Sequence, residues 1–356
     1  MFRALQLGDM LCAIPALQAL RAALPHAQII LIGLPWAREL TTRYPRLLDG
    51  FIAFPGAPGL PEQRPRPADW PAFLASVHAH RFNLVLQLHG DGTVTNPLVS
   101  LFAADTLAGF AAAHAFRPNA QYFAPFPSVT TELRGLTNFV RALGGAGDVS
   151  ADEQGSRPDE PNPLDFTFPI DADDRAALAR LADNAGLPLR DYVCIHAGAR
   201  GATRRWHAAR FAQVGDALAA RGYRIVLTGT AAEAELVAAV ARAMTAPAWN
   251  LAGRTTLGTL AALIADARLL VCNDTGVSHL AAGLKTASVI VATGSDVRRW
   301  APEDQGRHAV LSYPVPCRPC GYERCDHAHA CADGVTVDAV LARADELLRK
   351  GHSRAA

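Results

Sequence analysis

The sequence predicts an α/β protein that folds as two domains, each built around a parallel sheet. Its 356 residues exceed one ordinary core, because domains usually contain roughly 100–200 residues. Short β-rich runs alternate with amphipathic helical stretches, which is the pattern of parallel α/β folds. A polar segment rich in Gly, Pro and acidic residues, 144–163, divides the chain. We therefore expect an N-terminal domain over 1–163, with its linker at about 144–163, and a C-terminal domain over 164–356.

Composition excludes several classes of protein. Half of the residues are hydrophobic, which excludes an intrinsically disordered chain. A net charge of +1 gives no electrostatic reason to expect a nucleic-acid partner. The sequence contains no apolar run long enough to span a membrane and no secretory signal. Seven cysteines, an odd number, indicate a reducing compartment. We therefore expect a cytoplasmic protein.

In the N-terminal half, buried strands are predicted at 28–33, 50–54 and 83–88, and helices at 14–24, 67–80 and 130–143. The start of the chain is unusual, because residues 2–7 run directly into Gly8 and a helix. A doubly wound domain should open with a complete strand. We therefore expect a missing first strand, and with it a late translation start or an N-terminal domain less stable than its partner.

The C-terminal half alternates more regularly. Strands are predicted at 192–196, 224–228, 269–272 and 288–292, and helices at 208–221, 231–244, 257–266 and 277–284. Neither GxGxxG nor GxxxxGK[ST] is present, so the usual fingerprints of a dinucleotide or P-loop site are missing.

The most informative motif is LLVCNDTGVSHLAAGL, residues 269–284. A buried strand ends at the run Asn273-Asp274-Thr275-Gly276, and a helix follows at once. Ligands of open α/β sheets bind at the carboxyl ends of strands, and a helix N-terminus there offers N–H groups to phosphate. His279, one turn into the helix, is expected to face the same crevice. The alternative is that Asp274 or Thr275 only caps the helix.

A second motif places Asp9 after Gly8 at the start of a helix. A carboxylate there could accept a proton from an attacking hydroxyl, or it could only stabilise the helix dipole. A third, HAGARGATRRW at 196–206, follows a predicted strand and carries Arg200, Arg204 and Arg205. Guanidinium groups in such a loop match the oxygens of a phosphate.

Four of the cysteines cluster in a loop over 317–331, ahead of a C-terminal helix: Cys317, Cys320, Cys325 and Cys331. The first pair has the spacing of metal ligands, and a structural zinc held by four thiolates, or by three thiolates and one imidazole, is chemically reasonable. Reduced structural thiols are the alternative.

Together these motifs identify a family. The chain resembles glycosyltransferase family 9, the heptosyltransferase family of lipopolysaccharide synthesis. The likeness runs in order through GDMLCAIPALQALRAALP at 8–25, the 196–206 motif, NLAGRTTLGTL at 250–260, CNDTGVSHLAAGL at 272–284 and the Trp-Ala-Pro at 300–302.

The resemblance implies a GT-B fold, in which two Rossmann-like doubly wound domains face each other across a cleft. The acceptor would bind the N-terminal domain and the nucleotide sugar the C-terminal one. It also implies an inverting, metal-independent transfer, typically from ADP-heptose to a glycan or glycolipid acceptor. Such an acceptor adds transient association with the inner membrane surface to the expected cytoplasmic location.

Carried over position by position, the resemblance makes Asp9 the general base. Asp274, Thr275, Gly276 and His279 match the diphosphate and sugar site. Arg204 stands where the family usually has lysine as a phosphate contact. Glu233 matches a ribose-binding acid, and Thr255 and Thr256 lie where the adenine pocket is expected. Two other functions stay open: a sugar-nucleotide epimerase of GT-B shape, and a non-catalytic protein that binds sugar nucleotides.

Overall fold

The computed structural model describes residues 1–127, 129–145 and 162–353. Contacts divide the chain into two units, Met1–Phe166 (unit 1) and Thr167–Ala356 (unit 2). The predicted division after residue 163 falls close to the end of unit 1. Most of the predicted linker, 144–163, lies outside the described residues.

Unit 1 alternates short helices with short parallel strands. Its helices are α1 (Leu7–Leu11), α2 (Ile14–Ala23), α3 (Arg38–Arg43), α4 (Trp70–Ala79), α5 (Thr95–Ser100) and α6 (Glu132–Leu143). Its strands are β1 (Ile30–Gly33), β2 (Gly50–Ala53), β3 (Leu84–Gln87), β4 (Thr106–Ala111) and β5 (Phe123–Pro125). β1 pairs with β2, and β3, β4 and β5 pair in that order, all in parallel.

Residues 1–3 join these two small sheets. The backbone N–H of Phe2 donates to the carbonyl of Leu86 at 2.8 Å, and the N–H of Arg3 donates to the carbonyl of Ile32 at 3.0 Å. Phe2 is fully buried, and its ring packs edge-on against Phe54 at 5.1 Å between ring centroids. The prediction that the first strand is missing is therefore wrong. Residues 1–3 already occupy the central position between β1 and β3, although they form a very short segment.

Unit 2 contains one continuous sheet with helices around it. Its helices are α7 (Ala172–Ala185), α8 (Ala208–Ala220), α9 (Ala234–Ala243), α10 (Leu257–Ala265), α11 (Gly276–Leu284), α12 (Val297–Trp300), α13 (Ala330–Asp333) and α14 (Val337–Ser353). Its strands are β6 (Tyr192–His196), β7 (Arg224–Thr228), β8 (Ala248–Asn250), β9 (Leu269–Asn273), β10 (Ser288–Val291) and β11 (His308–Leu311). They pair in parallel in the order β11-β10-β9-β6-β7-β8.

The core of unit 2 explains why its central strands could be predicted from the sequence. Every residue of β6 and β9 is buried, because a central parallel strand covered on both faces needs a continuous apolar run. Trp206 is buried against Phe211, and its indole N–H donates to the carbonyl of Val335 at 3.0 Å. Successive strands β7 and β8 are added on one side of β6, and β9, β10 and β11 on the other, so the topological switch point of the sheet lies between β6 and β9.

The predicted strands and helices are confirmed, with bounds that differ by at most three residues. The strands that were not predicted are β4, β5, β8 and β11. β5, β8 and β11 lie at sheet edges, and β5 and β8 have only three residues each. No helix among the described residues is long and apolar enough to cross a membrane.

Candidate functional site

The switch point of unit 2 is held together by Asn273, the last residue of β9. Its side-chain oxygen accepts a hydrogen bond from the N–H of Trp206 at 2.8 Å, and its amide group donates to the carbonyl of Ala197 at 2.7 Å. Asn273 is fully buried. It therefore ties the loop after β6 to the loop after β9, a role that the sequence did not reveal.

The helix α11 begins at the switch point without a side-chain cap. Thr275 occupies the N-cap position, yet its side chain makes no capping hydrogen bond. Its hydroxyl is buried and has no hydrogen-bond partner among the described residues. Gly276 is the first residue of α11, and Asp274 immediately precedes Thr275. No capping side chain from Thr275 therefore occupies the N-terminal N–H groups of α11, and these groups can bind an anion. This weakens the alternative that Thr275 is only a cap.

His279 lies one turn into α11. Its side chain is buried, and its ring packs edge-on against Trp300 at 6.1 Å between centroids. This packing does not match the expectation of an imidazole that faces an open crevice. The role of His279 in donor binding stays a prediction.

Glu233 lies beside the ends of β6 and β7. Its Oε2 atom accepts hydrogen bonds from the N–H and the hydroxyl of Thr230, both at 2.9 Å. A Cβ atom at position 198 would overlap the Glu233 carboxylate, so glycine there is required for this close approach. His196 Nε2 is 4.0 Å from Glu233 Oε2. Burial nevertheless lowers the pKa of His196, and the Glu233 charge opposes that shift.

The arginines of the loop after β6 differ in their environments. Arg204 ends a 3-10 turn, Ala202–Arg204, and its side chain is exposed. Arg205 is half-buried, and its Nε donates to the carbonyl of Ala199 at 2.8 Å. Arg205 therefore stabilises the loop, whereas Arg204 is exposed and its contact with a phosphate stays a prediction.

The loop after β8 carries the two predicted adenine-pocket threonines. Thr256 is the N-cap of α10, and its hydroxyl accepts a hydrogen bond from the N–H of Thr259 at 3.1 Å. Thr255 precedes it and is half-buried. The hydroxyl of Thr256 is thus engaged in capping, and both threonines remain predicted rather than tested contacts.

In unit 1, Asp9 lies in α1, directly after the central residues 1–3. Its carbonyl oxygen accepts a hydrogen bond from Nε of Arg3 at 3.0 Å. Arg3 is fully buried; it also donates to the carbonyl of Leu88 and to Oε1 of Glu132 at 2.9 Å. These bonds fasten the α1 turn to the segment after β3 and to the start of α6. Asp9 itself is half-exposed.

His89 follows β3 beside this cluster. Its Nδ1 accepts a hydrogen bond from the N–H of Ala4 at 3.2 Å. Burial lowers the pKa of His89 to about 3; the Arg3 charge adds to this shift and the Glu132 charge opposes it. The imidazole is therefore neutral in the folded state. Arg3, His89 and Glu132 were not identified from the sequence, although a polar residue directly after predicted strand 83–88 was an available signal.

The cysteine-rich loop surrounds one small cavity. Its lining includes Cys317, Cys320, Cys325, Cys331, His327 and His329. The backbone N–H of His329 donates to the sulfur of Cys325 at 3.3 Å, and His329 Nε2 lies 3.1 Å from the carbonyl oxygen of Thr203. In the described part of the chain, no group of three or more His, Cys, Asp or Glu side chains is arranged to hold a metal ion. The structural zinc stays a prediction.

Comparisons with known proteins agree with the motifs. The profile of Glycosyltransferase family 9 (heptosyltransferase) matches residues 156–330. Lipopolysaccharide heptosyltransferase 3 of Escherichia coli is 36% identical over 128 residues, which span 35% of this chain and 37% of that protein. Lipooligosaccharide heptosyltransferase 2 of Campylobacter jejuni is 26% identical over 156 residues, 43% of this chain and 49% of that protein. The matched stretches thus span less than half of these relatives.

Solved structures match over nearly the whole chain. The ADP-heptose lipopolysaccharide heptosyltransferase II of E. coli superposes with a TM-score of 0.73 at 20% identity, covering 99% of this chain and 98% of that one. A family 9 glycosyl transferase from Veillonella parvula gives a TM-score of 0.75 at 20% identity, covering 98% and 96%. These likenesses establish the fold. From the motifs, the sheet topology and the profile match together, residues 156–330 of the chain belong to glycosyltransferase family 9, the heptosyltransferase family.

Proposed function

We propose that the protein transfers a heptose from ADP-heptose onto a lipopolysaccharide core or a related glycan, with inversion at the anomeric carbon. The observation that carries this proposal is the order of the candidate residues along the sheet of unit 2. Asp274 and Thr275 follow β9, Arg204 follows β6, Glu233 follows β7, and Thr255 follows β8, and these strands are neighbours in that order.

That order matches the parts of a nucleotide sugar taken from one end to the other. The adenine would lie at β8, the ribose at Glu233 after β7, and the diphosphate between Arg204 and the N-terminus of α11. Strand spacing is about 4.8 Å, so four neighbouring strand ends span a length suited to an extended nucleotide sugar. A guanidinium and the free N–H groups of a helix both stabilise the charge that develops on a departing diphosphate.

The proposed reaction forms one bond and breaks one. The acceptor oxygen attacks the anomeric carbon of the heptose, and the bond from that carbon to the diphosphate breaks, so ADP leaves with the electron pair. The acceptor proton passes to the carboxylate of Asp9, which acts as general base. The buried Arg3 holds the backbone at Asp9, so the carboxylate starts from a fixed position. No step needs a metal ion, because Arg204 and the α11 N-terminus supply the positive charge.

The acceptor and the cellular location follow from this function. We infer that the enzyme acts in the cytoplasm and associates transiently with the inner membrane surface, where a glycolipid acceptor would be found. The proline-rich loop of unit 1, residues 54–67, carries Arg64 and Arg66, and we infer that it helps to select the acceptor. Arg66 forms an exposed ion pair, with its Nε 3.2 Å from Oδ2 of Asp69. Either arginine could meet an acidic or phosphorylated glycan.

The decisive experiment measures release of ADP and glycosylation of the acceptor together. Purified protein is incubated with ADP-heptose, with and without a heptose-deficient lipopolysaccharide core, and products are identified by mass spectrometry. We expect one added heptose per acceptor and ADP release that depends on the acceptor. Conversion of the sugar nucleotide without acceptor would indicate an epimerase instead, and tight binding without turnover would indicate a non-catalytic protein.

The predicted structural zinc is tested separately from activity. Zinc content of the purified protein is measured by elemental analysis, beside the variant Cys320→Ser. About one zinc per chain in the wild type, and markedly less in the variant, would support the site. Metal-free wild-type protein with normal thermal stability would reject it and leave the reduced-thiol alternative.

A further inference from the structure

Three buried polar atoms at the carboxyl ends of β9 and β10 have no hydrogen-bond partner among the described residues. They are Oγ1 of Thr275, Oγ of Ser295 and Nη2 of Arg318. Thr275 follows β9, and Ser295 follows the adjacent β10. Arg318 belongs to the cysteine-rich loop, yet its Nε donates to the carbonyl of Ser295 at 2.9 Å. The three atoms thus come from three segments: those of Ser295 and Arg318 are in direct contact, and that of Thr275 follows the neighbouring strand.

Two nitrogens of the Arg318 side chain are hydrogen-bonded, and the third, Nη2, has no partner among the described residues. Besides the bond to Ser295, its Nη1 lies 3.3 Å from the carbonyl of Tyr313, and its backbone N–H donates to the carbonyl of Val315 at 3.2 Å. Ser295 is only 1% exposed. Buried donors and hydroxyls that lack partners destabilise a protein. Such a group of them, held in place by other bonds, is typical of a site that a ligand completes.

The charges around Arg318 favour a neutral polar ligand over a second phosphate. Asp274 precedes Thr275 and Asp296 follows Ser295, so one carboxylate lies beside each hydroxyl, and both act on the guanidinium of Arg318. Asp296 is shared with Arg298, which lies 3.2 Å away. The local charge is therefore close to neutral. The site offers the N–H donors of Arg318, the hydroxyls of Thr275 and Ser295, and neighbouring carboxylates as acceptors. This set matches the hydroxyl groups of a sugar, each of which both donates and accepts hydrogen bonds.

The position along the sheet identifies which part of the donor would reach this place. β10 pairs with β9 on the side away from β6, so it lies beyond the proposed diphosphate position and farther than β9 from the ribose and adenine contacts. This step rests on the proposed function. We propose that Arg318, with the hydroxyls of Ser295 and Thr275, binds hydroxyl groups of the sugar that is transferred, and so helps to select the donor sugar.

The test compares two ligands on each variant, because ADP lacks the sugar. Affinities of wild type, Arg318→Ala and Ser295→Ala for ADP and for intact ADP-heptose are measured by calorimetry without acceptor. Loss of a charged hydrogen bond should weaken ADP-heptose binding of Arg318→Ala about 10- to 100-fold, with ADP affinity within about twofold of wild type. Ser295→Ala should lose severalfold, again only for ADP-heptose.

Arg324→Ala is the matched control, since Arg324 is an exposed arginine of the same loop. It should bind both ligands as the wild type does. Unchanged ADP affinity also reports that each variant is folded. The proposal is overturned if Arg318→Ala weakens ADP and ADP-heptose equally, or weakens neither. A wild-type protein that binds ADP but not ADP-heptose would overturn the proposed donor itself, and this result differs from a variant that behaves like the wild type.

Discussion

The two units position their candidate functional groups in different ways. In unit 2 the groups follow four strands of one continuous sheet, and each is placed by the few residues after its strand. In unit 1 the sheet is made of two small pieces joined by residues 1–3. The turn that holds Asp9 is anchored by Arg3. The side chain of Arg3 bonds to Leu88 and Glu132, which are 85 and 129 positions away along the chain. A site of the first kind depends on local sequence, whereas one of the second kind depends on the assembled unit.

The energetic consequence concerns the buried pair Arg3–Glu132. Its side chains are 0% and 6% exposed, and breaking such a pair leaves an uncompensated charge in the interior. Most ion pairs in the described part of unit 2, such as Arg175–Asp266, are at the surface. Each contributes about 0–1 kcal/mol to the free energy of unfolding. Unit 1 should therefore be the more sensitive of the two to loss of a charged side chain.

The largest effect is expected at the functional group of unit 1. Asp9→Asn should lower the rate of transfer by ~10²–10⁴-fold, because a general base is lost, while ADP binding in unit 2 stays unchanged. Turnover is measured with ADP-heptose and acceptor, and ADP affinity by calorimetry. Asp105→Asn, which removes an exposed carboxylate of the same unit, is the control. Turnover above roughly a tenth of wild type would mean that Asp9 only stabilises the helix dipole.

The next effect separates the stabilities of the units. Glu132→Ala should destabilise unit 1 by about 3–5 kcal/mol, because Arg3 is left buried without its partner. Asp266→Ala should cost unit 2 less than about 1 kcal/mol. Hydrogen exchange followed by mass spectrometry reads the two units separately. Similar losses for the two variants would contradict the distinction between a buried anchor and a surface pair.

A smaller effect tests local placement in unit 2. Gly198→Ala should displace the Glu233 carboxylate, since the new Cβ atom would overlap it, and should weaken ADP binding about 10-fold, or ~1.4 kcal/mol. Thermal stability should change little, because the displaced group is the end of a flexible side chain. Gly201→Ala is the control, as its Cβ would come no closer than 3.7 Å to Thr203 Oγ1. Undiminished affinity in Gly198→Ala would remove Glu233 from the ribose site.

The smallest effect concerns pH and is shared by both units. Burial lowers the pKa of His89 in unit 1 to about 3 and that of His308 in unit 2 to about 4. Each histidine therefore stays neutral in the folded state while the unfolded chain binds a proton below pH ~6.5. Stability is full above that pH and falls as the solution becomes more acidic, by about 0.8 kcal/mol per histidine at pH 6.

Replacing one of these histidines should remove its contribution to the pH dependence of stability, and only in the unit that contains it. His89→Asn should reduce the pH dependence of unit 1 between pH 7.5 and 6 by about 0.8 kcal/mol and leave that of unit 2 in place. Part of the dependence of unit 1 should persist, because burial also lowers the pKa of the N-terminal amine of Met1 to about 5. His26→Gln, at an exposed position, is the control. Hydrogen exchange at the two pH values is the measurement, and an unchanged dependence in unit 1 would show that another group is responsible.

Most of unit 2 could be predicted from sequence, for identifiable reasons. Its central strands are covered on both faces, so they read as unbroken apolar runs such as those at 192–196 and 269–272. The residues after these runs were recognised because strand ends and helix starts are where phosphates bind. The edge strands β8 and β11 were missed, because a short, half-buried strand has no distinctive composition.

The sequence by itself determined the fold class, the family and the residues that follow each central strand, since all of these depend on patterns within about twenty residues. Only the tertiary structure decided which groups meet across the chain. It placed residues 1–3 at the centre of unit 1, buried Arg3 against Glu132, and brought Arg318 beside Ser295. These contacts join segments that no local pattern relates, because burial and pairing of a polar side chain are settled only when distant parts of the chain pack together.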